Sequence, residues 1–189
     1  KLADNTYVIY TTDNGPWLQF RHHGGSAGPL REGKGTTFEG GQRVPCVMRG
    51  PGIPAGTVCD ELTGTIDVLP TIAALTGKPL PKGKKIDGID ASGLWKGMVK
   101  DSPRKEFLHY TSRGDIEGIR SGNWKLLVKK PRRNKAGKAQ LHLFDLAKDM
   151  GEKNNLAESK PSVVKELQAR MKELDAEIAK NARSPWFKK

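Results

Sequence analysis

The run Thr6-Tyr-Val-Ile-Tyr-Thr-Thr12 is rich in β-branched and aromatic residues without polar alternation, the pattern of a strand buried on both faces of a parallel sheet. It stops at Asp13-Asn-Gly-Pro16, where Gly15 lets the backbone turn with positive φ and Pro16 cannot extend a strand. Ligands of open α/β sheets bind just beyond the carboxyl ends of their strands. Asp13 and Asn14 stand at that position with a carboxylate and an amide carbonyl, hard oxygen donors of the kind that Ca²⁺ or Mg²⁺ selects. Taken alone, the tetrapeptide reads first as an ordinary turn after a strand.

A second segment changes the balance. Gly33-Lys-Gly-Thr-Thr37 sets an ammonium between two glycines, with two hydroxyls close behind. Glycine permits close backbone approach, so Lys34 can present its charge to an oxyanion while Thr36 and Thr37 donate hydrogen bonds. The plainer alternative is a flexible surface loop.

Together with Gly24-Gly-Ser-Ala-Gly-Pro-Leu-Arg-Glu-Gly-Lys-Gly-Thr-Thr-Phe-Glu-Gly-Gly-Gln-Arg-Val-Pro45, these pieces resemble the formylglycine-dependent (type I) sulfatases of the alkaline phosphatase superfamily. Thr65-Ile-Asp-Val-Leu-Pro-Thr-Ile-Ala-Ala-Leu-Thr-Gly77, Ile86-Asp-Gly-Ile-Asp90, Ile119-Arg-Ser-Gly-Asn-Trp-Lys-Leu126, Leu143-Phe-Asp-Leu146 and Glu152-Lys-Asn-Asn-Leu-Ala157 extend the resemblance over nearly the whole chain. Order and spacing are similar to the C-terminal half of an arylsulfatase or N-acetylgalactosamine-6-sulfatase. The resemblance implies that Asp13 and Asn14 are two Ca²⁺ ligands and that Lys34 holds the substrate sulfate. Glu39, Gly40, Gly41, Arg43 and Pro45 fit a structural motif, a glycine turn feeding a strand, with Glu39 expected to pair with Arg43.

The departures matter as much. The family makes its formylglycine in a Cys/Ser-x-Pro-x-Arg motif, and neither Cys46-Val-Met-Arg49 nor Ser102-Pro-Arg-Lys105 fits it. The family's N-terminal Asp pair and its middle-segment His and Lys also lack counterparts. The resemblance therefore implies about half of an active site, inactive alone, whose remainder lies in a missing N-terminal half. The reaction the resemblance implies is hydrolysis of a sulfate ester, expected on sulfated glycans or another sulfate ester, with Ca²⁺ (or Mg²⁺) and an upstream formylglycine. Alternatives are a phosphodiesterase or phosphonate hydrolase of the same superfamily, or a non-catalytic anion- or glycan-binding module. The implied compartment is periplasmic, secreted or lysosomal.

The expected fold is α/β: part of a mostly parallel sheet flanked by helices, plus a small C-terminal antiparallel sheet with a packed helix. Residues 1–85 read as part of the catalytic domain, with strands at Thr6–Thr12 and Val44–Arg49 and a helix over Leu62–Thr76 interrupted by Pro70. Asp67 reads as a cap or first-turn residue of that helix. The Pro-, Gly- and Lys-rich link Gly77–Lys85 leads into a second unit, 86–189. Its strands are expected at Phe107–Thr111, Glu117–Ser121, Trp124–Lys129 and Leu141–Asp145. Its helix, Pro161–Asn181, is apolar at Val164, Leu167, Met171, Leu174 and Ile178, with Ser159 or Ser162 as cap.

The chain has 189 residues and a formal net charge of +12. Its densest basic run, Lys129–Lys138, lies between two strand-like segments without interleaved aromatics. A solvated hairpin tip is therefore favoured over a nucleic-acid surface, although basic surface near a sulfate site would also steer polyanionic glycans. No stretch approaches the length of a membrane span. Cys46 and Cys59 are expected to be unpaired, Cys46 as a buried thiol. His22, His23, His109 and Arg113 are candidate substrate contacts, Arg31 is a second cation or a structural pair, and His142 is structural.

Overall fold

The computed structural model describes residues 2–83, 85–131 and 137–183. The chain divides into two compact units, one of Lys1–Thr12 and Pro45–Lys105, the other of Asp13–Val44 and Glu106–Lys189.

In the first unit the β-branched run does form a strand, β1 (Val8–Thr11), but its partner β2 (Cys46–Arg49) runs antiparallel in a two-stranded sheet, Val8 opposite Arg49 and Thr11 opposite Cys46. The described residues contain no parallel sheet. An uninterrupted apolar run reports faces suited to burial, not the direction of the neighbouring strand. Here those faces are uncovered, with Val8 48 % and Tyr10 66 % exposed. Both cysteines are free and exposed, so Cys46 is not the buried thiol expected of it.

The predicted Leu62–Thr76 helix is a 3-10 turn, Thr65–Asp67, leading into the α-helix Val68–Thr76. Pro70 does not interrupt it, because it falls in the first turn, where a missing N–H breaks no intrahelical bond. Gly77 closes the helix at φ +65°, the left-handed cap that favours glycine. Asp67 is buried and does more than cap. It accepts the N–H of Gly64 (2.8 Å) and of Ile89 (2.8 Å), and it pairs with Arg104, whose Nε donates at 2.7 Å. Arg104 also donates to the carbonyl of Asp87 at 2.9 Å. The Ile86-Asp-Gly-Ile-Asp90 motif is thus the segment held by this hub. Its net effect on Asp67 is instructive: burial works to raise the carboxyl pKa, but Arg104 and the two N–H groups together lower it below the usual value.

The second unit begins with a 3-10 segment, Leu18–His23, and the short helix α1 (Glu39–Gln42). Because α1 precedes the first-unit helices in sequence, Val68–Thr76 is α2 and Ser92–Trp95 is α3. The unit is completed by a four-stranded antiparallel meander, β3 (Glu106–Tyr110), β4 (Ile116–Ser121), β5 (Trp124–Lys129) and β6 (Gln140–Asp145), and by α4 (Pro161–Asn181). Gly122, at φ +55°, allows the two-residue β4–β5 turn. Residues 132–136 of the basic run lie outside the described residues.

The meander's two faces do different work. Ile119, Leu126 and Leu143 meet Val164, Leu167 and Met171 of α4 on one side. On the other, Phe38 packs with Leu127, Phe144 and Leu146. Alternation along β5 sends Leu126 to the helix and Lys125 and Leu127 to the opposite face. Glu106 and Arg170, joined at 2.7 Å, tie β3 to α4. Neither predicted serine caps α4: Lys160 holds that position without a side-chain bond, Pro161 starts the helix, and Ser159 donates instead to the Leu156 carbonyl.

Candidate functional site

Two loops distant in sequence meet in the second unit. The N–H of Gly15 donates to the Gly41 carbonyl (3.1 Å) and that of Lys34 to the Pro16 carbonyl (2.8 Å). The approach requires glycine, since a Cβ on Gly15 would stand 1.7 Å from the Gly40 carbonyl oxygen. Lys34 then rides a turn closed by Thr36, which bonds back to Gly33 through both its N–H (3.2 Å) and its hydroxyl (3.0 Å). The Lys34 ammonium is exposed, lies 5.2 Å from the ring centroid of Trp17, and makes no ion pair among the described residues.

Beneath this loop is a buried charge cluster. The Lys125 ammonium lies 2.8 Å from Glu39 and 3.0 Å from Glu152, and Arg120 approaches Glu39 at 3.7 Å. The Glu39 N–H donates to Glu152 at 2.7 Å. Lys125 and Glu152 are fully buried. Two carboxylates balance two cations, which is what permits such burial. Burial still pushes the Glu152 carboxyl up, against the pull of Lys125. The expected Glu39–Arg43 side-chain pair is replaced by this cluster, and the Arg43 guanidinium contacts the Met150 sulfur at 3.4 Å instead. Arg31 is structural, donating to the Glu152 carbonyl at 2.8 Å and stacking on Phe38. The cluster clamps Glu39, and with it the Lys34 turn, to β5.

Above the clamp opens a cleft of about 570 Å³. One wall is the loop, with Asn14, Lys34, Thr36, Thr37 and Gln42. The facing wall comes from the sheet, with Tyr110, Thr111 and Ser112 after β3, Glu117 on β4 and Lys129 at the end of β5. Among the described residues that line it there is no Ala, Val, Leu, Ile or Met. Such a cleft suits a polar, anionic ligand, the loop ammonium meeting its charge and hydroxyls and amides its oxygens.

This is the chemistry for which the comparisons give a family. Residues 1–78 match the family model described as Sulfatase. Human Arylsulfatase A is 38% identical over 203 residues, an alignment that takes in 94% of this chain and 40% of the relative. The chain belongs to the sulfatase family. It spans about 40% of the length of that curated relative. Among solved sulfatase structures, PsFucS1 sulfatase from Pseudoalteromonas sp. superposes with TM-score 0.78 at 27% identity, covering 96% of this chain and 39% of the other. Ps i-CgsB, solved in complex with k-i-k-neocarrahexaose, gives TM-score 0.76 at 28% identity, with 98% and 39% covered.

Against the sulfatase expectations, the structure brings Asn14 and Lys34 to one cleft and places Asp13 beside Asn14. Asp13 is exposed, and no ion pair among the described residues occupies its carboxylate. These two oxygen donors suit Ca²⁺ in kind but not in number, since that ion takes six to eight. No group of three or more His, Cys, Asp or Glu among the described residues completes the set.

The other candidates lie elsewhere. His22 and His23 are exposed in the Leu18–His23 segment, and Arg113 is exposed in the turn after β3; none lines the cleft. His109 is 4 % exposed within β3, so it sits inside the unit rather than at the cleft surface. Both of its ring nitrogens lack hydrogen-bond partners, and burial, reinforced by Lys125 and Arg120, holds its pKa well below the ordinary histidine value. His142 is structural as expected, its ring against Phe38 and Phe144.

Sequence reasoning missed Thr37's true partners, Glu117 and Lys129. In sequence Lys129 opens the basic run expected to be solvated, whereas in the structure it is half-buried, bonded to Glu117 at 3.1 Å and to Thr37 at 3.2 Å. The available signal was period two: Lys129 shares a strand face with Lys125 and Leu127.

Proposed function

We propose that this chain is the C-terminal part of a type I sulfatase that hydrolyses sulfate esters of carbohydrates. The observation that carries the reading is the convergence of Asn14 and Lys34, from motifs some twenty residues apart, on one cleft rich in hydroxyl, amide and charged groups. Residues 1–85 would belong to the catalytic domain and 86–189 to the connector and C-terminal subdomain. The other half of the enzyme would supply the remaining metal ligands. When bound, Ca²⁺ would supply Lewis-acid charge at the sulfate oxygens and formylglycine the nucleophile.

The part played by this chain's residues follows from their placement. Asp13 and Asn14 would hold one side of the metal. Lys34 would neutralise charge on the sulfate, from a turn whose position is fixed by the Gly15–Gly41 and Lys34–Pro16 bonds and by the buried clamp at Glu39. Fixed charge of this kind needs no rearrangement as the transition state forms. A carbohydrate substrate is favoured by the hydroxyl, amide and charged groups that line the cleft and by the neighbour solved with k-i-k-neocarrahexaose. Such enzymes would act in a periplasmic, secreted or lysosomal compartment.

The test is Lys34→Ala in the complete enzyme assayed on an aryl sulfate. Loss of kcat/KM by roughly 10²–10³-fold, the size typical of a removed transition-state donor, is the expected result, and unchanged turnover would remove Lys34 from the mechanism. Asp13→Ala should in parallel abolish the rise in melting temperature that Ca²⁺ gives the wild type.

A further inference from the structure

The two walls of the cleft differ in charge. Lys34 makes no ion pair among the described residues, leaving its charge available to an anion. On the sheet wall, Lys129 donates to the Glu117 carboxylate at 3.1 Å and to the Thr37 hydroxyl at 3.2 Å, while that hydroxyl itself donates to the same Glu117 oxygen, Oε2. Glu117 and Lys129 therefore neutralise each other. A second anion would gain little there.

A closed carboxylate–ammonium–hydroxyl triangle can still bind. An ammonium has three donors and a carboxylate about four lone-pair positions. The bonds above use two of the donors and one of the oxygens. Among the described residues, what remains is one donor on Lys129 and one carboxylate oxygen, Glu117 Oε1, on a half-buried wall of the cleft. A hydroxyl is the group that both accepts and donates, and adjacent hydroxyls on one ring can satisfy both positions at once. The Phe38 ring, 4.5 Å from the Lys129 ammonium, limits the directions in which that ammonium can turn.

We propose that the Glu117–Lys129 pair, oriented by Thr37, is a specificity element that reads the hydroxyls of the sugar carrying the sulfate. This rests on the sulfatase reading: Lys34 would take the sulfate and the sheet wall the sugar ring. The pair discriminates in the way polar sites do. A ligand lacking the hydroxyls leaves buried polar groups unmatched and is rejected strongly, whereas a ligand that never reaches the wall is indifferent to it.

The experiment uses the complete enzyme with Glu117→Gln, Lys129→Gln and Thr37→Val, on 4-nitrophenyl sulfate and on a panel of monosulfated hexoses and hexosamines. Expected is a fall of about tenfold or more in the ratio of kcat/KM for the preferred sulfated sugar to that for the aryl sulfate, carried by KM rather than kcat. A ratio equal to the wild type's, whether both activities fall together or neither falls, overturns the proposal. Melting temperatures identify any variant that fails to fold, and the three substitutions are read independently. If the wild type turns over neither substrate, the sulfatase reading fails. Calorimetric titration of the same sugars then decides the subsite separately: weaker binding to Glu117→Gln supports it, and equal binding overturns it.

Discussion

In the first unit Asp67 meets Arg104 while its two carboxylate oxygens also accept backbone N–H groups; in the second, Lys125 stands between Glu39 and Glu152 as their shared cation. The difference lies in what survives a loss. Without Arg104, Asp67 keeps the donors of Gly64 and Ile89. Without Lys125, two buried carboxylates face each other, Glu152 keeping the N–H of Glu39 and Glu39 only the more distant Arg120 at 3.7 Å. The apolar residues differ in the same direction. The second unit encloses Ile119, Leu126 and Leu143 completely, whereas the first leaves Val8, Tyr10, Val47 and Leu69 exposed. The core between the meander and α4 is closed, whereas the β1–β2 sheet is open and the Asp67 hub keeps redundant hydrogen bonds.

The sharpest way to break this contrast is to remove each cation in turn. Lys125→Met should cost about 3–5 kcal/mol, the range for stranding buried charge, measured by urea unfolding with circular dichroism. Arg104→Leu should cost less, about 2–3 kcal/mol, because the carboxylate remains partly satisfied. A larger loss for Arg104→Leu would reverse the comparison.

Acid should separate the units by a smaller effect. His109 is kept neutral in the fold, so below its ordinary value near 6.5 the unfolded chain takes up a proton that the folded chain refuses. Stability of the second unit should therefore decline as pH falls through about 6.5. Asp67 has a lowered pKa, so its contribution is intact above about 3.9 and is lost only as pH falls below that. Amide hydrogen exchange at pH 7 and pH 5 should show β3, the strand that carries His109, losing protection first, and His109→Phe should flatten that change. Equal losses in β1 and β3 would show that the units open together. Smallest of all, Val8→Thr should alter stability by no more than about 0.5 kcal/mol, as for an exposed position; a larger loss in the melting curve would mean that β1 is not open.

Local signals proved legible where the chain's own periodicity set the outcome. The meander strands β3 to β6 match their predicted spans within a residue or so, and α4 matches fully, because alternation and the 3.6-residue repeat act over a few neighbouring positions. What the sequence concealed were partners. The strand of Thr6–Thr12 exists, but its antiparallel neighbour could not be inferred from apolar residues alone. Arg43 stood four residues from Glu39 and looked like its partner, yet the true one, Lys125, lies 86 residues away. Pro70 read as a break because its distance from the helix start was unknown.

For the site, the chain of motifs by itself determined the donors at Asp13 and Asn14, the ammonium at Lys34 and the glycines beside them, since those chemistries are properties of residue type and short spacing. Only tertiary structure decided that Asn14 and Lys34 share a cleft, that His109 is buried, and that Lys129 belongs to Glu117 and Thr37 rather than to a solvated basic run. The physical reason is that charge pairing and burial depend on distance through space. A strand face that turns a lysine inward toward a carboxylate converts a surface charge into part of a wall, and the spacing of basic residues along the chain carries no record of that turn.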